Sequence, residues 1–193
     1  MDSDQQLNRD VIPGGSQTLS KARGRFPSAY PSSLVSGAGS HVRSQDGRDY
    51  IDWICSLGAV SLGYGVVDEA VTAQVRRGPI FSISSLGLER SVAARLIDMI
   101  PCAESVRYLK SGSESVEAAI RVARAATRRE IILCARGRYH GWHSWHAATR
   151  EECPGVPLAM KGLVRQFLYN DLDSLAALLT ERDVLHGTLG DHV

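Results

Sequence analysis

Two short segments of the chain hold the residue types best able to do chemistry. In Lys110-Ser111-Gly112-Ser113-Glu114, two hydroxyls and a glycine stand where a short run with β character gives way to the clearest helical pattern of the sequence. The first turn of a helix leaves backbone N–H groups unpaired at the positive end of the dipole, and such donors suit a phosphate. Gly112 lets an anion approach with no Cβ in the way. The same residues also fit the S-x-x-E capping box, in which Ser111 and Glu114 serve only the helix, and spacing alone does not choose between the two readings. The second segment is Arg138-Tyr139-His140-Gly141-Trp142-His143-Ser144-Trp145-His146. Tyr139 and the two tryptophans offer flat faces that suit a planar ring, and an aromatic loop packed on a core is the plainer alternative. His140, His143 and His146 raise the question of a metal. At that spacing the three side chains drift around a helix, and no acidic residue stands among them, so no metal site is expected.

These segments need elements to position them. Val67, Ala70, Val71 and Val75 recur at helical spacing, and Gly78-Pro79 closes that pattern. Val92, Ala93, Leu96, Ile97 and Ile100 predict a second amphipathic helix over 89–100, stopped by Pro101. Ser105 to Leu109 reads as a short strand. Val116, Ala119, Ile120 and Ala123 make one apolar stripe on a helix over 114–128. Glu130 to Ala135 is a nearly continuous apolar run, as a strand covered on both faces shows, and 171–179 predicts a last helix. Helix alternating with strand argues for an α/β fold with a mainly parallel sheet. The loop from Arg138 then lies just past the C-terminal end of a strand, where such sheets place ligands. Upstream, Asp46-Gly47 between two short β-forming runs signals a hairpin and a small antiparallel unit. The first thirty residues, rich in Gly, Ser and Gln, read as an arm that orders against a partner surface.

Bulk properties exclude several function classes. With 193 residues, 44% hydrophobic and 22% charged, the composition is globular. Lys+Arg number 22 against Asp+Glu 21, a net charge of +1, which gives no electrostatic case for nucleic acid or an anionic membrane. No apolar run approaches the length of a membrane span, and the opening residues lack the hydrophobic stretch of a signal peptide. A cytoplasmic protein is expected. Cys55, Cys102, Cys134 and Cys153 form no CxxC pair and read as buried small hydrophobes.

The motifs, taken in order, resemble the class III (fold type I) pyridoxal-phosphate (PLP)-dependent aminotransferases, nearest in pattern to glutamate-1-semialdehyde 2,1-aminomutase and its transaminase relatives. The resemblance rests on Ile12-Pro13-Gly14-Gly15, on Asp46-Gly47 with Tyr50-Ile51-Asp52, and on Leu62-Gly63-Tyr64. It continues through Glu104-Ser105-Val106-Arg107-Tyr108, Ser111-Gly112-Ser113-Glu114, Arg121-Val122-Ala123-Arg124-Ala125, Tyr139-His140-Gly141 and Tyr169-Asn170-Asp171. It implies the N-terminal part of a fold type I large domain, preceded by an arm and a small antiparallel unit. It also implies PLP as cofactor and amino-group transfer between small-molecule donors and acceptors in a dimer. Ser111, Gly112 and Ser113 match the family's phosphate-holding turn. Tyr139 stands where an aromatic ring covers the pyridine, with His140 and Gly141 completing that turn, and Trp53 lies in the segment that lines the substrate side.

Some positions depart from the family pattern. Lys110 replaces the usual Asn, and Tyr64-Gly65-Val66-Val67 replaces His-x-His-Pro. Relatives carry the Schiff-base lysine and the acid paired to the pyridine nitrogen well downstream of Tyr-His-Gly. Neither Lys21, Lys110 nor Lys161 matches that lysine, so no catalytic residue is assigned. The resemblance therefore implies an incomplete half that needs a homodimeric partner or a complementing C-terminal half. The alternative is a non-catalytic remnant or binding protein that keeps the phosphate cradle. The expected division is an arm and small β unit over 1–65, a partial PLP-binding domain over 66–184, and an irregular tail over 185–193.

Overall fold

The computed structural model describes residues 11–83 and 86–180. The chain divides into two compact units, Met1–Leu86 and Gly87–Val193. The tail expected over 185–193 lies outside the described residues.

The first unit is built on a three-stranded antiparallel sheet, β1 (Leu34–Ala38), β2 (His41–Ser44) and β3 (Asp49–Ile51), in the order β1-β2-β3. Two tight turns make it. Asp46-Gly47 joins β2 to β3 as expected, with Gly47 at φ 84° and Asp46 gripped by the Ser44 hydroxyl and the Arg48 guanidinium. The run from Leu34 to Val42 is itself a hairpin: Gly39 at φ 57° reverses the chain and pairs Ala38 with His41. Alternation then puts Val42 and Ser44 inside and their neighbours outside. The arm forms three single-turn 3-10 helices around Pro13–Gly15, Leu19–Lys21 and Arg23–Arg25. Helix α1 (Asp68–Arg77) has acids in its first turn, arginines in its last, and Gly78 at its C-cap, a dipole-matched arrangement. None of its residues is buried.

The second unit contains the chemical segments. Helix α2 (Leu86–Met99) begins about a turn earlier than the spacing indicated and ends before Pro101. Ser105 to Leu109 carries no regular secondary structure and pairs with no strand among the described residues, so the strand expected there is not formed. An extended segment becomes sheet only when a neighbour takes its backbone hydrogen bonds. Helix α3 (Gly112–Thr127) follows, capped at its C-terminus by Arg128 in the left-handed region. Strand β4 (Ile132–Ala135) runs parallel to β5 (Val164–Phe167), Ile132 opposite Val164 and Ala135 opposite Phe167. β5 had no counterpart in the sequence reading. Between them lie two single-turn helices, α4 (Ser144–Ala147) and α5 (Ala159–Gly162), and α6 (Leu172–Leu179) ends the described chain. Asp171 caps α6 by accepting from the Ser174 N–H at 3.0 Å.

The core of this unit is Ile120, Cys134, Trp145 and Val164, with Val116, Ile132 and Met160 packed against it. The inward side of α3 is Val116, Glu117, Ile120 and Arg124, whereas Ala119 and Ala123 of the expected stripe are exposed. Arg124 is accommodated because its guanidinium Nε donates to the Glu130 carbonyl at 2.9 Å, leaving the stem to pack. The cysteine reading holds for Cys134, whose thiol is pushed up by burial, and fails for Cys102, which is exposed. All four thiols are free.

Candidate functional site

The N-terminus of α3 forms the capping box and leaves two backbone donors unpaired in the same turn. Ser111 is the N-cap: its Oγ accepts from the Glu114 N–H at 3.3 Å. The Glu114 carboxylate turns back to accept from the Lys110 N–H at 2.9 Å and from the Ser111 hydroxyl at 3.2 Å. That network consumes the donors at 110 and 114. The backbone N–H groups of Gly112 and Ser113 have no partner among the described residues. A Cβ placed on Gly112 meets nothing within 4 Å, so open space faces the two free donors.

Ser113 ties this turn to the loop after β4. Its Oγ accepts from the Trp142 N–H at 3.1 Å, and its carbonyl accepts from His143 Nε2 at 2.9 Å. Gly141 makes the close approach. A Cβ there sits 3.0 Å from Ser113 Oγ, and φ of 119° puts the residue in the region that favours glycine. Ser111, Gly112 and Ser113 are thus brought against Gly141 and its neighbours. Tyr139, two residues before Gly141, leaves 70% of its surface exposed and meets the His146 ring edge-on at 5.4 Å. His140 is half-buried, stacked on Trp145 at 6.1 Å and edge-on to His146 at 5.8 Å.

The two tryptophans divide. Trp145, read from the sequence as a stacking face, is 3% exposed and belongs to the core; Trp142 is 86% exposed. The short helix α4 explains this, because it turns residues 145, 146 and 148 inward. His146 is 6% exposed, and its imidazole is held below the usual histidine range by burial first, with His140 and Arg150 adding to it. Among the described residues, no three His, Cys, Asp or Glu side chains gather as a metal site. Tyr139 and His146 also line a cavity of about 630 Å³ that sequence reasoning did not find, whose walls include Arg136, Arg138, Arg150 and Glu151. Its lining does not include Ser111, Gly112 or Ser113. The only signal for it was the run of arginines on either side of the aromatic loop.

Trp53 belongs to the first unit and is 88% exposed. The loop after it is organised by Asp52, which accepts from the Tyr64 hydroxyl at 2.7 Å and from the N–H groups of Ile54 and Cys55. These bonds hold the Asp52 carboxyl below its usual range, the Tyr64 bond most of all. They also hold Cys55, Ser56 and Leu57 at φ of 50°, 51° and 61°, a strained run that no glycine announced.

Residues 27–181 match the profile of the family described as Aminotransferase class-III. The chain belongs to the class-III aminotransferase family. It is 35% identical over 174 residues to the 3-aminobutyryl-CoA aminotransferase of Cloacimonas acidaminovorans, covering 89% of this chain and 41% of that one. It is 35% identical over 192 residues to the glutamate-1-semialdehyde 2,1-aminomutase of Chloroflexus aurantiacus, covering 93% and 43%. A Sphingopyxis FumI protein, solved in its PLP internal aldimine form, superposes with a TM-score of 0.80 at 28% identity, over 91% of this chain and 42% of that one. The fold is therefore the N-terminal part of a fold type I PLP transferase, with its small antiparallel sheet and a parallel pair. The class-III chain described here spans less than half the length of each of these relatives.

The turn at α3 fits the family's cofactor, PLP. Its two unpaired N–H groups, the dipole of a 16-residue helix and the open space before Gly112 are what a phosphate monoester needs.

Proposed function

We propose that this chain is the cofactor-cradling half of an enzyme that moves amino groups between small amino and carbonyl compounds, as an aminotransferase or a 2,1-aminomutase. The supporting observation is the pair of free donors at Gly112 and Ser113, held in place by the bonds from Ser113 to the Tyr139–His143 loop. Gly112 and Ser113 N–H groups and the Ser113 hydroxyl hold the cofactor phosphate, with Ser111 fixing the turn. Tyr139, mostly exposed, lies against the pyridine ring, and His140 and Gly141 set the angle of the loop that carries it. When bound, PLP supplies the electron sink for amino-group transfer. The chain's own part is to grip the phosphate, hold the ring in plane and shield one of its faces. Trp53 stands on the substrate side, with residues 1–65 acting as arm and β unit and 66–184 as the cofactor domain.

The reactive amine is assigned outside this chain. Lys161 Nζ donates to the Glu151 carbonyl at 3.0 Å and Lys21 Nζ to Gln17 Oε1 at 3.1 Å. The exposed faces of Tyr139 and Trp142 support a further polypeptide covering the loop, as a complementing C-terminal half or a second copy in a dimer, and a cytoplasmic setting is part of the same proposal. Among the described residues, no helix is long and apolar enough to cross a membrane.

Titration of the full chain with PLP and with pyridoxal tests the reading. Saturable binding is expected for PLP and not for pyridoxal, because the turn recognises the phosphate. Gly112→Val is expected to weaken PLP about tenfold or more by filling the space before the donors, with the fold unchanged since that space is empty of protein atoms. Borohydride after PLP is expected to give no lysine adduct. Equal affinity for pyridoxal, or a Gly112→Val chain that binds PLP as the parent does, overturns the assignment. PLP binding with no amino-group transfer after adding a complementing C-terminal half favours the non-catalytic cradle instead.

A further inference from the structure

We propose that the cavity beside Tyr139 is a second oxyanion site, separate from the Gly112–Ser113 turn, that takes a small carboxylate- or phosphate-bearing molecule. The cavity, about 630 Å³, is large enough for a ligand of several heavy atoms. Its walls bring together Arg136, Arg138 and Arg150 against a single carboxylate, Glu151. Among the described residues none of these three arginines makes an ion pair. Arg138 instead lies over the Tyr169 ring at 4.2 Å, which fixes its guanidinium as a planar donor without neutralising it. Three cations held around one hollow repel one another, and an oxyanion relieves that repulsion while accepting their N–H groups.

His146 supplies the readout. It lines the same cavity, it is 6% exposed, and its Nδ1 has no hydrogen-bond partner. A buried ring nitrogen without a partner is uncommon. That nitrogen is closed to solvent, so the ring senses the charge of an anion from the cavity wall and does not bond it through Nδ1. The far wall is already satisfied, since Gln166 Nε2 donates to the Thr149 carbonyl at 3.1 Å. The free guanidiniums therefore have nothing nearer to bind. Ser111, Gly112 and Ser113 are absent from its lining, and Tyr139 is the residue it shares with the proposed cofactor site.

The experiment follows the His146 ring resonances of the full, histidine-labelled chain during titration with inorganic phosphate and, separately, with succinate, chloride holding the ionic strength constant. A saturable shift is expected, with the His146 pKa rising as the anion binds. Arg150→Gln is expected to weaken the response about tenfold, the loss of one charge-assisted hydrogen bond. Arg150 is exposed, so its replacement leaves the core intact, and Arg136→Gln provides a second, equally exposed variant. Tighter binding of phosphate assigns a phosphoryl ligand, tighter binding of succinate a carboxylate, and either supports the site. Gly112→Val is expected to lose PLP yet keep the His146 response, which separates failure of the cofactor reading from failure of this one. The proposal is overturned by an unsaturable response, by an equal response to chloride, by wild-type affinity in both arginine variants, or by loss of the response in Gly112→Val.

Discussion

Helices α1 and α3 carry the same local signals and reach opposite ends. Both have apolar residues at helical spacing, an acid in the first turn and an arginine in the last. Yet α3 buries Ile120 against Cys134, Trp145 and Val164, while Val71 and Val75 of α1 are 55% and 54% exposed. The difference is what stands opposite. Helix α3 returns through Arg128 into β4, and the parallel pair gives its apolar side a surface to cover. Within the first unit, the small sheet spends its buried positions on Val42 and Ser44. A periodic stripe states that a helix has a side to bury, and only a partner surface makes that side a source of stability. The proposed phosphate turn sits on the helix that found one. Rigidity of the candidate site therefore derives from the core behind it.

That contrast can be broken most sharply at Trp145. Trp145→Ala is expected to cost about 4 kcal/mol, the usual loss for a buried large aromatic, read as a lower urea midpoint of the second unit. The matching change in α1, Val71→Ala, is expected to stay within about 0.5 kcal/mol. Equal costs at the two positions would mean that α1 is buried in solution. Gly141→Ala is next. Its φ of 119° and the 3.0 Å approach to Ser113 Oγ predict a loss of about 2 kcal/mol, together with weaker PLP binding because the loop moves off the turn. A variant of unchanged stability and affinity would show that the loop and the turn are not coupled.

The smallest effect is a pH dependence. Burial, then His140 and Arg150, hold His146 below the ordinary value of 6.5. The unfolded chain thus binds the proton more readily than the folded one, and stability rises with pH through that window. It is fully present above about 6.5 and declines as pH falls below it toward the depressed folded value. His146→Asn is expected to flatten this slope in urea titrations between pH 7 and pH 5. At lower pH a separate loss is expected from Asp46, whose carboxyl the Arg48 guanidinium and the Ser44 hydroxyl hold at about 2. The stabilisation from that pairing is complete above the unfolded value of 3.8 and vanishes as pH falls through about 2.

Much of the fold was legible because its signals are local. Asp46-Gly47 announced its turn, Gly78 and Pro101 announced helix ends, and the apolar run at Ile132–Ala135 announced a strand. The capped start of α3 was legible for the same reason: a cap and a small-residue start are properties of consecutive residues. What was missed depends on neighbours distant in sequence. β5 alternates too weakly to stand out and is a strand because β4 pairs with it. Ser105–Leu109 has strand-forming residues and no strand to join. The cavity at His146 needs residues from 136 to 166 folded together, so no window of sequence displays it.

Sequence alone determined where several turns fall and which short run opens helix α3 with unpaired backbone donors, because capping, φ restriction and dipole alignment act within one or two turns of backbone. Tertiary structure alone decided which aromatic became core and which stayed open. Trp142 and Trp145 are three residues apart with nearly identical local context, and only the packing of α4 against β4 and β5 separates 86% exposure from 3%. Burial is set by what the rest of the chain brings alongside a residue, and that is information no neighbouring residue carries.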